Sequence, residues 1–211
     1  EVTVDDGLFV SAGELNELRR NACEMLDNKR SEIKYLSVTS EFEFTKEKCN
    51  KIKKPQMYVR LESKEQIPTD LSGISAVIVP LEKDFELIPN VTNIVEIPRG
   101  IISEKAIKNR LEIYKQKGFK VALCGNIAAV EIAKNQGFEI IADTGLNIFN
   151  SYSLEAAKEL GVTSAVVSTE LLLENINSLG DSIAKGLISY GNIPLMLFKN
   201  CPIKNGKNCD E

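Results

Sequence analysis

The feature that most constrains the fold of this chain is a repeat in which a glycine stands just before a short apolar run. Lys117-Gly118-Phe119 precedes Val121–Cys124, Gln136-Gly137-Phe138 precedes Ile140–Ala142, and Leu160-Gly161-Val162 precedes Ala165–Val167. In each copy the glycine is predicted to end a helix and to let the chain turn into a strand. The three glycines are 19 and 24 residues apart, which suits single strand-and-helix units. The repeat therefore favours a (β/α) barrel, or a large part of one, over a doubly wound sheet.

Apolar runs rich in β-branched residues predict the strands of this sheet. They are Met57–Leu61, Ala76–Val79, Ile94–Ile97, Val121–Cys124, Ile140–Ala142, Ala165–Val167 and Leu195–Phe198. Their nearly continuous apolar character is typical of strands that are buried on both faces of a parallel sheet. We expect an α/β fold, either a TIM-barrel-like domain or a partial barrel.

The first 54 residues have a different pattern and are expected to form an N-terminal appendage. Ser11 and Glu14 have the spacing of a capping box, and apolar residues at helical spacing then predict an amphipathic helix to about Lys29. The stretch from Ile33 to Phe44 is predicted as an edge strand. The lysine-rich stretch that follows it is typical of a solvated linker and less so of a site for a polyanion. We place the domain boundary there, with residues 1–54 before it and residues 55–211 as the barrel portion.

Composition limits the chemistry and the location of the protein. The chain has no histidine, which excludes Ser–His and Cys–His mechanisms and leaves carboxylate, amide, hydroxyl, Lys, Arg and thiolate groups.

The net charge of -4 gives no support to a dominant nucleic-acid surface. No apolar run approaches the roughly 18 residues needed to span a bilayer. Five irregularly spaced cysteines favour a reducing compartment. Cys124 lies inside an apolar run and is predicted to be a small core residue. We expect a cytoplasmic protein that does not associate with a membrane.

Polar residues follow the predicted strands at the points where the strands end. Because these ends converge on one face of a parallel β/α fold, they are the first candidates for a site. The candidates are Arg99, Asn126, Asp143, Asn147, Asn150, Glu170 and Asn200. Structural alternatives exist: Asn126, Ser151 and Ser168 are also good helix N-cap residues, and Glu170 suits the first turn of a helix. Asp143 is harder to explain structurally, because it follows a buried strand and opens an unusually polar loop.

Two cysteines near the end of the chain suggest a metal site. Cys201 and Cys209 lie eight residues apart in a stretch rich in Gly, Lys and Asn, as in half of a thiolate site for zinc or an iron–sulfur cluster. Such sites normally need four ligands. The alternative is that both are free surface cysteines.

Several blocks of the sequence resemble the peptidase U32 family, the collagenase-like bacterial proteins. The blocks are Cys124-Gly125-Asn126, the run from Asp143 to Ser151, Leu160-Gly161-Val162, Ser168-Thr169-Glu170-Leu171, the run from Tyr190 to Met196, and Asn200-Cys201-Pro202. The early segment from Glu14 to Arg20 also resembles the one that precedes this barrel portion in long members. The resemblance covers almost the entire chain. The family's block containing Glu and Cys, normally found in the N-terminal half, is missing here.

The resemblance implies a bacterial, cytoplasmic peptidase of unknown catalytic type, of which this chain is the C-terminal barrel portion, truncated at its C-terminus. In this hypothesis Asp143 and Glu170 are catalytic, and Arg99, Asn126, Asn147, Asn150 and Asn200 bind a peptide or protein substrate. Some relatives act in hydroxylation of tRNA or ribosomal RNA. The alternative is therefore a binding or scaffold domain for RNA, beside an iron–sulfur cluster or zinc to which Cys201 and Cys209 contribute. Either way, we expect the partners to include the other domains of a longer protein.

Overall fold

The computed structural model of the chain describes residue 7 and residues 9–33, 54–100, 103–194 and 196–198. The chain divides into two compact units, Glu1–Phe44 and Thr45–Glu211. In the first unit, helix α1 spans Ala12–Ser31, and Ser11 and Glu14 form the predicted capping box, each side chain accepting a hydrogen bond from the other's backbone N–H. Apart from Ile33, the predicted edge strand lies outside the described residues, as does most of the linker.

The second unit is built on a parallel sheet that curves into a half-barrel. Within the described residues its strands pair in chain order, and each runs parallel to the next. The strands are β1 (Met57–Arg60), β2 (Ile74–Pro80), β3 (Thr92–Glu96), β4 (Val121–Cys124), β5 (Glu139–Ala142), β6 (Val162–Val166) and β7 (Ala184–Gly186). The helices are α2 (Glu104–Gln116), α3 (Ile127–Asn135), α4 (Ser151–Glu159) and α5 (Leu173–Ile176). The prediction of a partial barrel is confirmed.

The repeated glycines end helices, as the sequence predicted. Gly118, Gly137 and Gly161 have φ angles of 101°, 78° and 94°, a backbone conformation that side chains with a Cβ rarely adopt. After α2, the N–H of Gly118 donates to the carbonyl of Lys115 and the next N–H donates to that of Tyr114. The same pair of bonds follows α3. This is the Schellman motif, which satisfies the last carbonyls of a helix and directs the chain into the next strand.

The two faces of the sheet bury different groups. One face packs against the helices, and Leu111 of α2 and Leu154 of α4 are fully buried there. Alternate strand residues form a separate apolar cluster on the other, concave face: Ala76, Ile78, Ile94, Val121, Leu123 and Ile141. We call this cluster the inner floor. It places an apolar surface directly beneath the carboxyl ends of the strands.

A loop takes the place of a helix between β2 and β3. Phe85 and Ile88 of this loop are buried, and Tyr114 of α2 holds it by donating a hydrogen bond to the carbonyl of Lys83 at 2.6 Å. The Tyr114 hydroxyl also accepts a hydrogen bond from the N–H of Phe85. The loop therefore covers the outer face of the sheet as a packed element.

The predicted strand at Leu195–Phe198 is wrong for the residues of it that the structure describes. Met196, Leu197 and Phe198 are not in a strand, and their side chains are more than half exposed. Leu195 lies outside the described residues. The seventh position in the sheet is taken by β7, Ala184–Gly186, which pairs with β6. An apolar run indicates a buried strand only where a neighbouring strand is free to pair with it.

No helix in the described part of the chain has both the length and the apolar character needed to cross a bilayer.

Candidate functional site

One arginine joins two carboxylates at the carboxyl end of the half-barrel. Arg60, the last residue of β1, places its Nε 3.1 Å from Glu96 Oε2 at the end of β3. Its Nη2 donates to Asp143 Oδ2, just after β5, at 3.0 Å. The three side chains are 15–29% exposed. We call Arg60, Glu96 and Asp143 the rim cluster.

The rim cluster exists because the sheet curves. Four strand spacings separate β1 from β5, which would be about 19 Å in a flat sheet, farther than one arginine side chain can reach. In the sheet register, Arg60 lies beside Ile78, and Ile78 lies beside Ile94. Glu96 lies beside Leu123 in the row two residues further along β3. These residues share the concave face, so the curvature brings the ends of their strands together. The inner floor lies directly below.

Burial changes the ionisation of Glu96. Its surroundings raise its pKa from 4.5 to about 7, chiefly through burial. The Arg60 guanidinium opposes this rise without cancelling it, and the negative charges of Asp143, Glu62 and Glu82 add to it. Glu96 therefore still holds its proton in a large fraction of molecules near neutral pH, when it can donate a proton as well as accept one.

A second arginine approaches the rim cluster from the loop after β3. Arg99 is exposed, and it forms no ion pair with any residue that the structure describes. A Cβ on Gly125 would lie 3.7 Å from Arg99 Cγ and 4.0 Å from Asp143 Oδ2. A Cβ on Gly145 would lie 2.3 Å from the carbonyl oxygen of Gly125, so only glycine fits there without a shift. Two glycines thus let the loops after β4 and β5 meet between Arg99 and Asp143.

Asn126 occupies the rim, but its amide group is engaged in structural bonds. Its Oδ1 accepts from the N–H of Ala129 as the N-cap of α3, at 2.8 Å. Its Nδ2 donates to the carbonyl of Arg99 at 2.9 Å. The residue therefore fixes the loop that carries Arg99.

Asn147 and Asn150 shape the loop that follows Asp143. Asn147 has a left-handed backbone, with φ 49° and ψ 53°, which asparagine tolerates better than most residues. The turn brings Ile148 into a parallel bridge with Val167, extending the pairing of β5 and β6. Asn150 is the N-cap of α4 and accepts from the N–H of Ser153. Ser151, which the sequence offered as an N-cap, is the first residue of α4 instead.

The remaining predicted site residues are not brought to the rim cluster by any described contact. Glu170 is exposed in the turn after β6, where its N–H donates to Ser168 Oγ. The alternative that it lies in the first turn of a helix is wrong, because α5 begins at Leu173. Asn200, Cys201 and Cys209 lie outside the described residues, so their roles stay predictions.

The thiol of Cys124 and the arrangement of possible metal ligands also bear on the chemistry. Cys124 is buried, and this burial raises the pKa of its thiol to about 12, which keeps it protonated and unsuited to act as a nucleophile. The prediction that it is a core residue is confirmed. Among the described residues, no three acidic or thiol side chains are placed to hold a metal ion.

Arg60 and Glu96 are not among the predicted site residues, because the strand-end pattern indicates only the residues that follow each strand. Both lie inside runs that were predicted as strands, Met57–Leu61 and Ile94–Ile97. A charged residue within a strand that is buried on both faces is costly unless it is paired. Each of these two runs contains one charged residue. That charged residue within a predicted buried strand is the sequence signal that could have indicated Arg60 and Glu96.

No family model matches the sequence, and no curated protein or solved structure matches it either.

Proposed function

We propose that this chain is the barrel portion of a peptidase related to the U32 family, and that the rim cluster carries its acid–base chemistry. The observation that carries the proposal is the contact of two carboxyl groups with one guanidinium at the carboxyl end of the half-barrel. Active sites of barrel enzymes lie at this end. The sequence blocks from Asp143 to Ser151 and from Tyr190 to Met196 support the family assignment.

The two carboxyl groups suit different halves of peptide hydrolysis. Asp143 accepts a hydrogen bond from Arg60, which holds its carboxylate in a fixed orientation to act as a base. It takes a proton from water while that water attacks the peptide carbonyl carbon. Glu96, with its pKa raised to about 7, gives its proton to the leaving nitrogen as the carbon–nitrogen bond breaks. Two carboxyl groups that divide the roles of acid and base are a known arrangement for such chemistry.

The charges at the rim favour a peptide over RNA as the substrate. Glu62 and Glu82 are exposed and act electrostatically on Glu96. Among the described residues of the rim, these two acids and Asp143 outnumber the arginines Arg60 and Arg99, without counting the partly protonated Glu96. A surface of this sign repels phosphate groups. It accommodates a neutral peptide backbone, and Arg99 is available to hold a carboxylate of the substrate by paired hydrogen bonds.

The test is hydrolysis of fluorescently labelled gelatin and casein by the protein and by two variants of similar shape, Glu96→Gln and Asp143→Asn. We expect kcat/KM to fall about 100-fold or more in each, since acid–base groups contribute on the order of 10² to 10⁴. The control is Glu159→Gln, which changes an exposed acid on α4 and should leave hydrolysis unchanged.

Full hydrolysis by both variants, with folding checked by circular dichroism, would reject the rim cluster as the catalytic site. A second measurement addresses the RNA alternative. If anaerobically purified protein contains stoichiometric iron and hydrolyses neither substrate, the peptidase proposal is wrong and the RNA-modification hypothesis gains support.

A further inference from the structure

A cleft lies on the carboxyl side of β5 and β6, beyond the rim cluster along the sheet. Its volume is about 390 Å³, which is near the lower end for small-molecule sites and suits one side chain with its flanking backbone. It is lined by Phe149, Asn150, Ser151, Leu171, Asn175, Ser178 and Leu179. We call it the β5–β6 cleft.

Hydrogen bonds of the backbone hold both walls of the cleft. On one wall, the bridge of Ile148 to Val167 fixes the start of the loop, and the N–H of Phe149 donates to Ser153 Oγ in the first turn of α4. On the other wall, Ser151 Oγ accepts from the N–H of Gly180 at 2.9 Å. The cleft is therefore formed before a ligand arrives, which reduces the entropy lost on binding.

The lining combines apolar contact with unused amide groups. Phe149 is 45% exposed, while Leu171 is half-buried and Leu179 is buried at the base. Among the described residues, the side-chain amide of Asn175 has no hydrogen-bond partner, and neither does the Nδ2 of Asn150. A peptide can satisfy both parts of this lining. Its apolar side chain can contact Phe149 and the leucines, and its backbone N–H and carbonyl groups can bind the amides.

The charges around the cleft decide between a peptide and a nucleobase. Among the residues that the structure describes, no Lys or Arg lines it, and the nearby Lys185 is paired with Asp181. Exposed Glu170 and Glu174, by contrast, stand immediately before two lining residues, Leu171 and Asn175. Single-stranded nucleic acid also stacks on aromatic rings, but its sites carry positive charge along the backbone. Leu172 and Leu173, 62% and 71% exposed, extend the apolar surface beside the cleft.

From these observations we infer that the β5–β6 cleft is a specificity subsite that binds an aromatic or large aliphatic side chain of a peptide substrate. The inference rests on the proposed peptidase function for its biological meaning, since the cleft shares the carboxyl end of the sheet with Asp143. Phe149 supplies the aromatic wall of the subsite. Asn150 and Asn175 bind the peptide backbone.

The test measures binding without cleavage, in the Asp143→Asn background. Two blocked pentapeptides, Ala-Ala-Phe-Ala-Ala and Ala-Ala-Gly-Ala-Ala, and an oligouridine of eight nucleotides are titrated by isothermal calorimetry. We expect the Phe peptide to bind at least tenfold more tightly than the Gly peptide, and the oligouridine not to bind. Adding Phe149→Ala should remove the preference. The matched control is Tyr190→Ala, which removes an aromatic ring that is 97% exposed and should change nothing.

Each other result overturns the inference. Equal or absent binding of the two peptides, an unchanged preference in Phe149→Ala, or binding of oligouridine that depends on Phe149 would each exclude a peptide subsite here. The two proposals fail separately. A Phe preference in a protein whose rim variants still hydrolyse gelatin rejects only the rim chemistry, and rim-dependent hydrolysis without any Phe preference rejects only the subsite.

Discussion

Replacing Glu96 with glutamine should make the protein more stable in weakly alkaline solution and change how its stability depends on pH. In the folded protein, burial raises the pKa of Glu96 from 4.5 to about 7. Each pKa unit corresponds to about 1.4 kcal/mol, so ionising Glu96 costs roughly 3 kcal/mol more in the folded protein than in the unfolded chain. The stability from the protonated group is fully present below its unfolded pKa and is lost as pH rises through its folded pKa.

The assay is urea unfolding at about pH 5 and about pH 8, followed by circular dichroism. Between these two values the Glu96 contribution should lower the free energy of unfolding of the wild type by roughly 2 to 3 kcal/mol. The Glu96→Gln variant lacks this contribution. Loss of the ion pair with Arg60 does not offset the gain, because the raised pKa of Glu96 already includes the opposing effect of Arg60. Glu159→Gln should follow the wild type. An identical pH dependence in Glu96→Gln and the wild type would falsify the claim that Glu96 binds its proton more tightly in the folded state.

Two further predictions concern the loops that hold the rim. Gly145→Ala should lower the free energy of unfolding by about 1 to 3 kcal/mol, because its Cβ would lie 2.3 Å from the carbonyl oxygen of Gly125. Gly186→Ala, whose Cβ would meet atoms no closer than 3.9 Å, is the control, and equal effects in thermal unfolding would contradict this reasoning. Asn126→Ala should cost about 1 to 2 kcal/mol through loss of the cap. Asn126→Ser keeps a capping oxygen and should recover part of that loss, leaving only the bond to the Arg99 carbonyl missing; no recovery in urea unfolding would refute the capping role.

The repeated units of the fold could be predicted because their signals are local. A glycine after a helix fixes the direction of the chain through hydrogen bonds within five residues, as at Gly118 and Gly137. Strand β7 could not be predicted in the same way. Ala184–Gly186 contains no β-branched residue, and only pairing with β6 makes it a strand. The run at Leu195–Phe198 is the opposite case. Its apolar composition predicts a strand, but its described residues, 196–198, do not form one.

The position of the candidate site could be predicted, because polar residues that follow the strands include Asp143 and Arg99. The contact of Arg60 with Asp143 joins residues 83 positions apart, and it depends on how strongly the sheet curves. Local sequence determines that strand side chains alternate between two faces. It does not determine which face is concave or which strand ends meet across it, so the partners of Asp143 could not be named.

The energetics of Glu96 offer a way to tell a structural carboxyl group from a chemical one. A glutamate whose only task is to fill this position could be a glutamine, which has nearly the same shape and avoids the roughly 3 kcal/mol penalty of charging a partly buried acid. A glutamic acid at this position is an advantage over glutamine if its proton is transferred in the reaction. The two assays on Glu96→Gln therefore have a joint meaning. Increased stability near pH 8 together with lost hydrolysis indicates that the Glu96 carboxyl serves the reaction, whereas increased stability with full hydrolysis would place the chemistry outside the rim cluster.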